Sequence, residues 1–340
     1  MRDPIIRTSP LSSRWQTADP FLFCVHHIDH YPRGNDRLGP DAPLTGHHIG
    51  QDFEGNDGWR MYHGDVVPGF PQHPHRGFET VTIVRTGYID HSDSLGATAR
   101  FGMGDVQWLT AGSGVVHSEM FPLLHRDQPN ELELFQIWLN LPARDKLVAP
   151  YFTMFWDQNI PRLERRDASG RGVTITVVAG ALDGLKPLAP PPHSWAARPE
   201  ADLAIWSIAL DAGASWTVPP ARDASTVRTL HQFRGTALDV GGRVVPGPAA
   251  TQVHADQATP IRAADGPAEI LLLQGHPIGE PVAQHGPFVM NTRAELDQAF
   301  QDYRRTQFGG WPFPENAPVH PRMRGRFAHH ADGRVEEAGA

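Results

Sequence analysis

Four side chains in two short motifs could hold a metal ion. His73 and His75 are one residue apart in HPHRGFETV, residues 73–81. In GSGVVHSEMF, His117 and Glu119 have the same spacing. Alternate residues of a β-strand project to one face, so each pair would point in one direction. Two such pairs on neighbouring strands can bring three imidazoles and one carboxylate together, a set that suits iron, manganese, nickel or copper as well as zinc.

The remaining histidines lack a second pair on a neighbouring strand. The chain has 19 histidines, and chance alone then yields roughly one His-x-His motif, so spacing without context is weak evidence. We expect the others to be surface or hydrogen-bonded residues: His26, His27, His30, His47, His48, His254, His276 and His285. His329 and His330, close to the C-terminus, could bind metal adventitiously.

The elements that must position these residues are predicted to be β-strands. From Phe21 to Trp138, short alternating runs such as FETVTIVRTGYI and LELFQIWLNL are separated by glycine and by Asp, Ser or Asn. A second such set runs from GVTITVVAG to AEILLLQG. This pattern predicts two β-domains, each a barrel or a sandwich, with a boundary near NLPARDKLVAPYFT. The proline-rich LKPLAPPPHSW is expected to be a surface loop of the second domain.

A helix is predicted over residues 291–309. Asn291 or Thr292 is a suitable N-cap, and Glu295 is the capping-box partner of Thr292. The apolar residues at helical spacing are Leu296, Phe300 and Tyr303, and Gly309 closes the segment. Residues 310–340 are polar and proline-containing, so they are expected to be poorly ordered and dispensable.

The composition excludes several classes of protein. A net charge of −8 disfavours direct binding to nucleic acid. Cys24 is the single cysteine, which excludes an internal disulfide and a cysteine-based zinc cluster, and we expect it to be a small buried hydrophobic residue. The sequence shows neither a signal peptide nor a long apolar run, so a cytoplasmic protein that does not contact membranes is expected.

Three stretches together resemble the pirin family of the cupin superfamily: FPQHPHRGFETVTIV, GDVQWLTAGSGVVHSEM and GEPVAQHGPFVMNTRAELDQAFQDYRRTQFGGWPF. The resemblance covers nearly all of residues 15–315. It implies an all-β bicupin, with two facing antiparallel β-barrels (double-stranded β-helices) and a C-terminal helix. The implied domains are a metal-binding barrel over 15–145 and a barrel without a metal site over 146–290.

The resemblance also implies one mononuclear divalent metal, usually Fe(II), while Mn, Ni, Cu, Co and Zn stay open. Its ligands would be His73, His75, His117 and Glu119. Cupins outside the pirins commonly use a carboxylate at the position of Glu79, but here Glu119 competes for that role. We therefore expect Glu79 either to contact a ligand side chain without binding the metal itself or to be an ordinary strand residue. Arg76 would lie on the opposite face of the strand, solvated or ion-paired.

Two functions follow from this resemblance. Several bacterial members resemble quercetin 2,3-dioxygenases, in which a flavonol chelates the metal and O₂ opens its ring with release of carbon monoxide. Glu119 would then be both ligand and base for the flavonol hydroxyl proton. The alternative is a regulatory module, without turnover, whose affinity for a protein partner depends on the oxidation state of iron. A metal-binding protein with no turnover is a third possibility, and in each case a monomer is expected.

Overall fold

Almost all regular structure in the computed structural model, which describes residues 3–339, is β-strand, as the sequence predicts. The first eleven strands are β1 (Ile5–Pro10), β2 (Arg14–Gln16), β3 (Phe21–Tyr31), β4 (Gly69–His75), β5 (Phe78–Thr86), β6 (Tyr88–Asp93), β7 (Thr98–Gly102), β8 (Val106–Thr110), β9 (Val115–Met120), β10 (Asn130–Asn140) and β11 (Tyr151–Phe155). Short 3₁₀ helices occur at Ala143–Asp145, Asp157–Asn159, Trp195–Ala197, Pro199–Ala201 and Gln307–Gly309.

The second half of the chain adds fourteen strands and one α-helix. The strands before the helix are β12 (Arg162–Arg166), β13 (Gly172–Ala179), β14 (Ala204–Leu210), β15 (Ser215–Val218), β16 (Val227–Arg234), β17 (Ala237–Val240), β18 (Arg243–Pro246), β19 (Ala249–His254), β20 (Thr259–Ala263), β21 (Ala268–Gly275), β22 (Ala283–His285) and β23 (Phe288–Met290). Helix α1 (Arg293–Thr306) follows, and then β24 (Phe327–His329) and β25 (Val335–Glu337). No helix within residues 3–339 is both long and apolar enough to cross a bilayer.

The chain forms two compact units that are not consecutive in sequence. The first unit contains residues 26–137, 143–157 and 280–339, and the second contains residues 3–25, 138–142 and 158–279. These units differ from the predicted domains 15–145 and 146–290. The reason is strand pairing over long sequence distances: β11 pairs with β8 in the first unit, and β1 pairs with β19 in the second.

The first unit is built from two sheets packed around an apolar core. One sheet has the order β11-β8-β5-β10-β3, and the other has the order β25-β24-β7-β6-β9-β4. Phe101, Leu109 and Phe152 belong to the core cluster of this unit and are almost fully buried. Both sheets are open at their ends in the described residues, so the unit resembles a jelly roll, which agrees with the predicted choice between a barrel and a sandwich.

The second unit repeats this two-layer design. A seven-stranded sheet has the order β1-β19-β16-β21-β14-β13-β12, and a four-stranded sheet has the order β15-β20-β17-β18. Ile175, Ile208 and Leu272 are fully buried in its core. The proline-rich stretch lies between β13 and β14, as predicted. Cys24 is a free, fully buried cysteine, which confirms its predicted role as a small apolar residue.

Helix α1 begins with the predicted capping box. The Thr292 side chain accepts a hydrogen bond from the Glu295 amide, and the Glu295 carboxylate accepts one from the Thr292 amide. The α-helix ends at Thr306, earlier than predicted, because Gln307 takes a left-handed conformation with φ of 49° and starts a 3₁₀ turn. Leu296 is buried against the cluster that contains Phe288.

The segment after Trp311 is ordered, which corrects the prediction of a disordered tail. β24 pairs with β7, with Phe327 opposite Arg100. Arg100 is fully buried and donates to both carboxylate oxygens of Asp90, at 2.6 and 2.7 Å. Its other N–H groups bond to tail carbonyls, those of His320, Pro321 and Arg324, at 2.9, 2.9 and 2.8 Å. The tail is therefore held by hydrogen bonds from the buried Arg100 guanidinium to its backbone carbonyls. Amino-acid composition does not reveal such bonds.

Lys146 joins two segments of the first unit. Its Nζ is buried and donates to the carbonyls of Gly77 at 2.8 Å and Val289 at 3.2 Å. Burial lowers the pKa of Lys146 to about 8, although the carboxylates of Glu280 and Glu295 act in the opposite direction. In the folded chain this lysine therefore loses its proton more readily than an exposed lysine does.

We expect truncation after Gly310 to lower the unfolding free energy by at least ~3 kcal/mol. The truncation removes β24, one of the two strand partners of β7, and leaves the buried Arg100 without its carbonyl acceptors. Breaking such an arrangement costs about this much. Urea denaturation of both chains gives the difference. Met323→Ala is the control, because Met323 is 92% exposed and its loss should be neutral. Equal stability of the truncated and full-length chains would contradict the role of the tail.

A second expectation concerns the pH dependence of stability. Because the pKa of Lys146 is lower in the folded than in the unfolded chain, the unfolded state binds more protons above pH 8. Lys146 therefore destabilises the folded state near neutral pH, and the unfolding free energy should rise by up to ~3 kcal/mol as pH increases from 8 to 10.5. Urea denaturation across this range should show the rise in wild type and not in Lys146→Met. Lys186, the other lysine of the chain, is exposed, so Lys186→Met should retain it.

Candidate metal centre

Pairing between β4 and β9 brings the two predicted ligand pairs together. His73 lies directly opposite His117 in this antiparallel ladder. His75 lies two residues further along β4, and Glu119 lies two residues further along β9. A register irregularity between Phe70 and His73 shifts the pairing next to Glu119. All four side chains therefore share one face, as the spacing predicts.

The three histidines form a compact group of nitrogen donors. One ring nitrogen from each of His73, His75 and His117 lies within 4.8 Å of the others. Nε2 of His73 and Nε2 of His117 are 3.0 Å apart. Oε2 of Glu119 is 3.8 Å from Nε2 of His117, so the carboxylate borders the same space. Within residues 3–339, this is the one cluster of three or more possible ligands with such spacing.

The protonation of these imidazoles suits metal binding. Nδ1 of His73 is 2.8 Å from the carbonyl of Pro71. A carbonyl can only accept, so Nδ1 carries the hydrogen and Nε2 of the neutral ring presents a lone pair. Burial lowers the pKa of His73 to about 4 and the pKa of His117 well below its usual value, so both rings are neutral at pH 7. A close pair of neutral imidazoles is an arrangement that a divalent cation would stabilise.

Glu119 is buried, and only one of its two carboxylate oxygens accepts a hydrogen bond. Nε2 of Gln136 on β10 donates to its Oε2 at 2.9 Å, whereas its Oε1 is buried without a hydrogen-bond partner. Burial raises the pKa of Glu119, and the charge of His91 and the Gln136 hydrogen bond oppose this effect. An unpartnered buried carboxylate oxygen is costly, so Oε1 is suited to contact a metal or a substrate.

His91 is a neighbour of the centre that sequence reasoning missed. It lies opposite Glu119 in the β6–β9 ladder and is fully buried. Its Nε2 is 3.2 Å from Oδ2 of Asp93, and its ring meets that of His117 edge-on at 5.5 Å. A signal was available, because His91 and Asp93 have the same one-residue spacing as the two candidate ligand pairs.

Glu79 and Arg76 lie outside the cluster of nitrogen donors. Glu79 is fully buried, and its Oε1 accepts a hydrogen bond from Thr110 Oγ1 at 2.6 Å. Arg76 is ion-paired rather than solvated, with Nη1 2.8 Å from Oδ2 of Asp302. It also donates to the carbonyl of Ser113 at 2.7 Å. Arg76 therefore ties the strand of the two histidines to helix α1.

Most of the other N-terminal histidines are hydrogen-bonded, as predicted. The pairs are His26 with Glu133 at 2.9 Å, His27 with Tyr62 at 2.8 Å, His47 with Asp52 at 2.6 Å, and His30 with Glu131. His48 is exposed. In the tail, Nε2 of His330 is 2.7 Å from Oε1 of Glu336. These contacts give His26, His27, His30, His47 and His330 hydrogen-bond partners other than a metal ion.

Two family models match this chain. The model described as Pirin matches residues 6–139, and the model described as Pirin C-terminal cupin domain matches residues 205–309. The first match contains the four predicted ligands, and the second contains residues 205–279 of the second unit and all of α1. The predicted resemblance is therefore confirmed on both halves of the chain.

Similar proteins are named either as pirins or as quercetin 2,3-dioxygenases. A Pseudomonas aeruginosa protein provisionally named a quercetin 2,3-dioxygenase is 37% identical over 242 residues, 71% of this chain and 79% of its own. Human pirin is 34% identical over 253 residues, 73% of this chain and 80% of its own. A crystal structure of quercetin 2,3-dioxygenase from Acinetobacter baumannii has a TM-score of 0.69 at 25% identity, covering 90% of this chain and 98% of that one. The chain belongs to the pirin family of cupins.

Proposed function

We propose that this protein is a metal-dependent dioxygenase that opens the ring of a flavonol with O₂ and releases carbon monoxide. The observation that carries the proposal is the group of three neutral, closely spaced imidazoles beside a buried carboxylate. Similarity to the Acinetobacter baumannii and Pseudomonas aeruginosa proteins, whose names carry quercetin 2,3-dioxygenase activity, supports this reaction class. The substrate is a small flat molecule with adjacent oxygen donors.

In this proposal, His73, His75, His117 and Glu119 hold one divalent metal, with Fe(II) as the first choice. The 3.0 Å separation between two neutral imidazole nitrogens supports the fit, since a cation between them would replace an otherwise poor contact. Three nitrogens and one oxygen also suit Mn, Ni, Cu, Co or Zn. When bound, the metal supplies Lewis acidity and open coordination positions for the substrate.

The protein groups around the metal orient the ligands and move one proton. The Pro71 carbonyl fixes the tautomer of His73, and Gln136 fixes Oε2 of Glu119. Oε1 of Glu119 is then the atom that takes the 3-hydroxyl proton of the flavonol. The loss of that proton makes the ring electron-rich enough to react with O₂, and one carbon monoxide leaves for each O₂ consumed.

Aromatic side chains next to His73 offer a surface for a flat ring. Phe70 is partly exposed, and its ring centroid is 6.1 Å from that of His73. It packs with Tyr62 at 5.1 Å and with Phe121 at 6.1 Å. His73 is itself only partly buried, so the metal centre can be reached from this side. Stacking and edge contacts of this kind favour aromatic ligands.

The ligand assignment predicts one metal per chain. His75→Ala should lose most of the bound metal and stay folded, because the apolar core does not depend on the ion. Metal analysis of chains reconstituted under anaerobic conditions measures this, with His48→Ala as the control because His48 is exposed. A wild-type stoichiometry near two, or equal metal loss in the control, would contradict the assignment.

The role of Glu119 predicts a pH-dependent rescue. Glu119→Gln should keep part of its metal, since three imidazoles remain, yet lose flavonol oxidation at neutral pH because an amide cannot accept the proton. At raised pH the flavonol is already deprotonated, so part of the rate should return. Carbon monoxide release is measured against pH at matched metal occupancy.

Glu79→Gln is the matched control for this experiment, because Glu79 is buried in the same unit and its amide could still accept the Thr110 hydrogen bond. This variant should keep the wild-type pH profile. If the wild-type chain with its full metal complement releases no carbon monoxide from any flavonol, the dioxygenase proposal fails. Redox-dependent binding of a protein partner would then be the leading hypothesis.

A further inference from the structure

The second unit contains a cavity of about 520 Å³ that has no role in the proposed reaction. This volume lies in the range of small-molecule pockets, roughly 300–1,000 Å³. Its walls come from the segments around residues 180–187, 196–206 and 219–222. Two strand side chains complete the lining, Arg228 on β16 and Gln274 on β21.

Arg228 is a buried cation whose direct contacts are neutral. Its exposed fraction is 1%. Nε lies 2.8 Å from Oε1 of Gln274, and Nη2 donates to the same oxygen. Nη1 is buried and has no hydrogen-bond partner. Burial of a guanidinium without a bonded anion is costly, so an anion at this wall of the cavity would be strongly favoured.

The position of Arg228 is fixed by a chain of contacts within the described structure. Nε2 of Gln274 donates to the carbonyl of Asp202 at 2.9 Å, which directs Oε1 of Gln274 toward Arg228. Oδ2 of Asp202 accepts hydrogen bonds from the Arg222 amide and from Thr226 Oγ1, both at 2.9 Å. The carboxylate of Asp202 is therefore engaged with the loop that precedes β16. The guanidinium is held in place without an ion pair to that carboxylate.

The charges and surfaces of the cavity define the class of ligand. Its ionisable lining residues are Arg198, Arg222, Arg228, Asp183 and Asp202. Asp183 is ion-paired with Arg165, Asp202 is bonded to the loop before β16, and neither carboxylate is hydrogen-bonded to Arg228. Leu182 and Trp206 add apolar surface to the lining. A ligand with one negative charge and an apolar body would pair with Nη1 of Arg228 and cover this surface.

We propose that this cavity binds a small organic monocarboxylate. The carboxylate accepts hydrogen bonds from Nη1 of Arg228, and the apolar body packs against Leu182 and Trp206. The site lies in the unit that does not contain the histidine cluster, so its occupation does not require the metal.

Benzoate is the probe for this site, and benzamide is its neutral counterpart of the same shape. Isothermal titration of the full chain should show saturable binding of benzoate and binding of benzamide weaker by about tenfold or more, since a charge-assisted hydrogen bond is lost. Arg228→Met should weaken benzoate binding by a similar factor. Gln274→Glu should do the same, because the new carboxylate would pair with Arg228 and replace the ligand charge.

Circular dichroism establishes that each variant is folded, and if Arg228→Met fails to fold, Gln274→Glu alone decides the outcome. Carboxylates also bind metals, so the titration is repeated with His75→Ala, which should bind benzoate as wild type does. Equal binding of benzamide, unchanged binding in Gln274→Glu, or loss of binding in His75→Ala would overturn the proposal. So would the absence of saturable binding by wild type below about 10 mM.

Discussion

The register between β4 and β9 is the constraint on which the candidate centre depends. His73 faces His117 only because the two strands pair at that residue, and a slip of one residue would turn one pair of side chains to the opposite face. Glu119 shares the face of His117 because it lies two residues further along β9, and the irregularity between Phe70 and His73 in β4 places Phe70 opposite Glu119. The C-terminal end of β4 is held by the ion pair of Arg76 with Asp302 and by the hydrogen bond from Lys146 to the Gly77 carbonyl.

Burial determines the protonation state of the histidines and the cost of leaving a Glu119 oxygen without a partner. A histidine at the surface would be partly protonated near neutral pH, and a protonated ring cannot coordinate a metal. The low pKa values of His73 and His117 follow from desolvation, so the fold keeps these candidate ligands neutral without a metal. The same desolvation makes an unpartnered Oε1 of Glu119 costly, and Gln136 satisfies only the other oxygen. Desolvation therefore acts on both kinds of donor: it keeps the imidazole nitrogens unprotonated, and it makes a contact to Oε1 of Glu119 favourable.

The sequence predicted the parts of this structure that depend on local spacing. The four candidate ligands were found from one-residue spacing, and the capping box of Thr292 and Glu295 was found from helix-start chemistry. Pairings between distant segments were missed. Nothing near residue 151 shows that β11 pairs with β8, and nothing near residue 320 shows that tail carbonyls bind Arg100. A hydrogen bond to a backbone carbonyl carries no sequence signature, because every residue has one.

The two units show how one type of fold can hold different buried chemistry. In the first unit, the buried donors are neutral imidazoles, whose lone pairs can coordinate a cation. In the second, Arg228 is already a cation, supported by the neutral amide of Gln274. A low-dielectric interior tolerates unpartnered polar and charged groups poorly, and our two proposals follow from this: a metal ion would complete the first unit and an anion would complete the second. The chemistry of the buried groups, rather than the topology that surrounds them, is therefore what supports each of the two binding proposals.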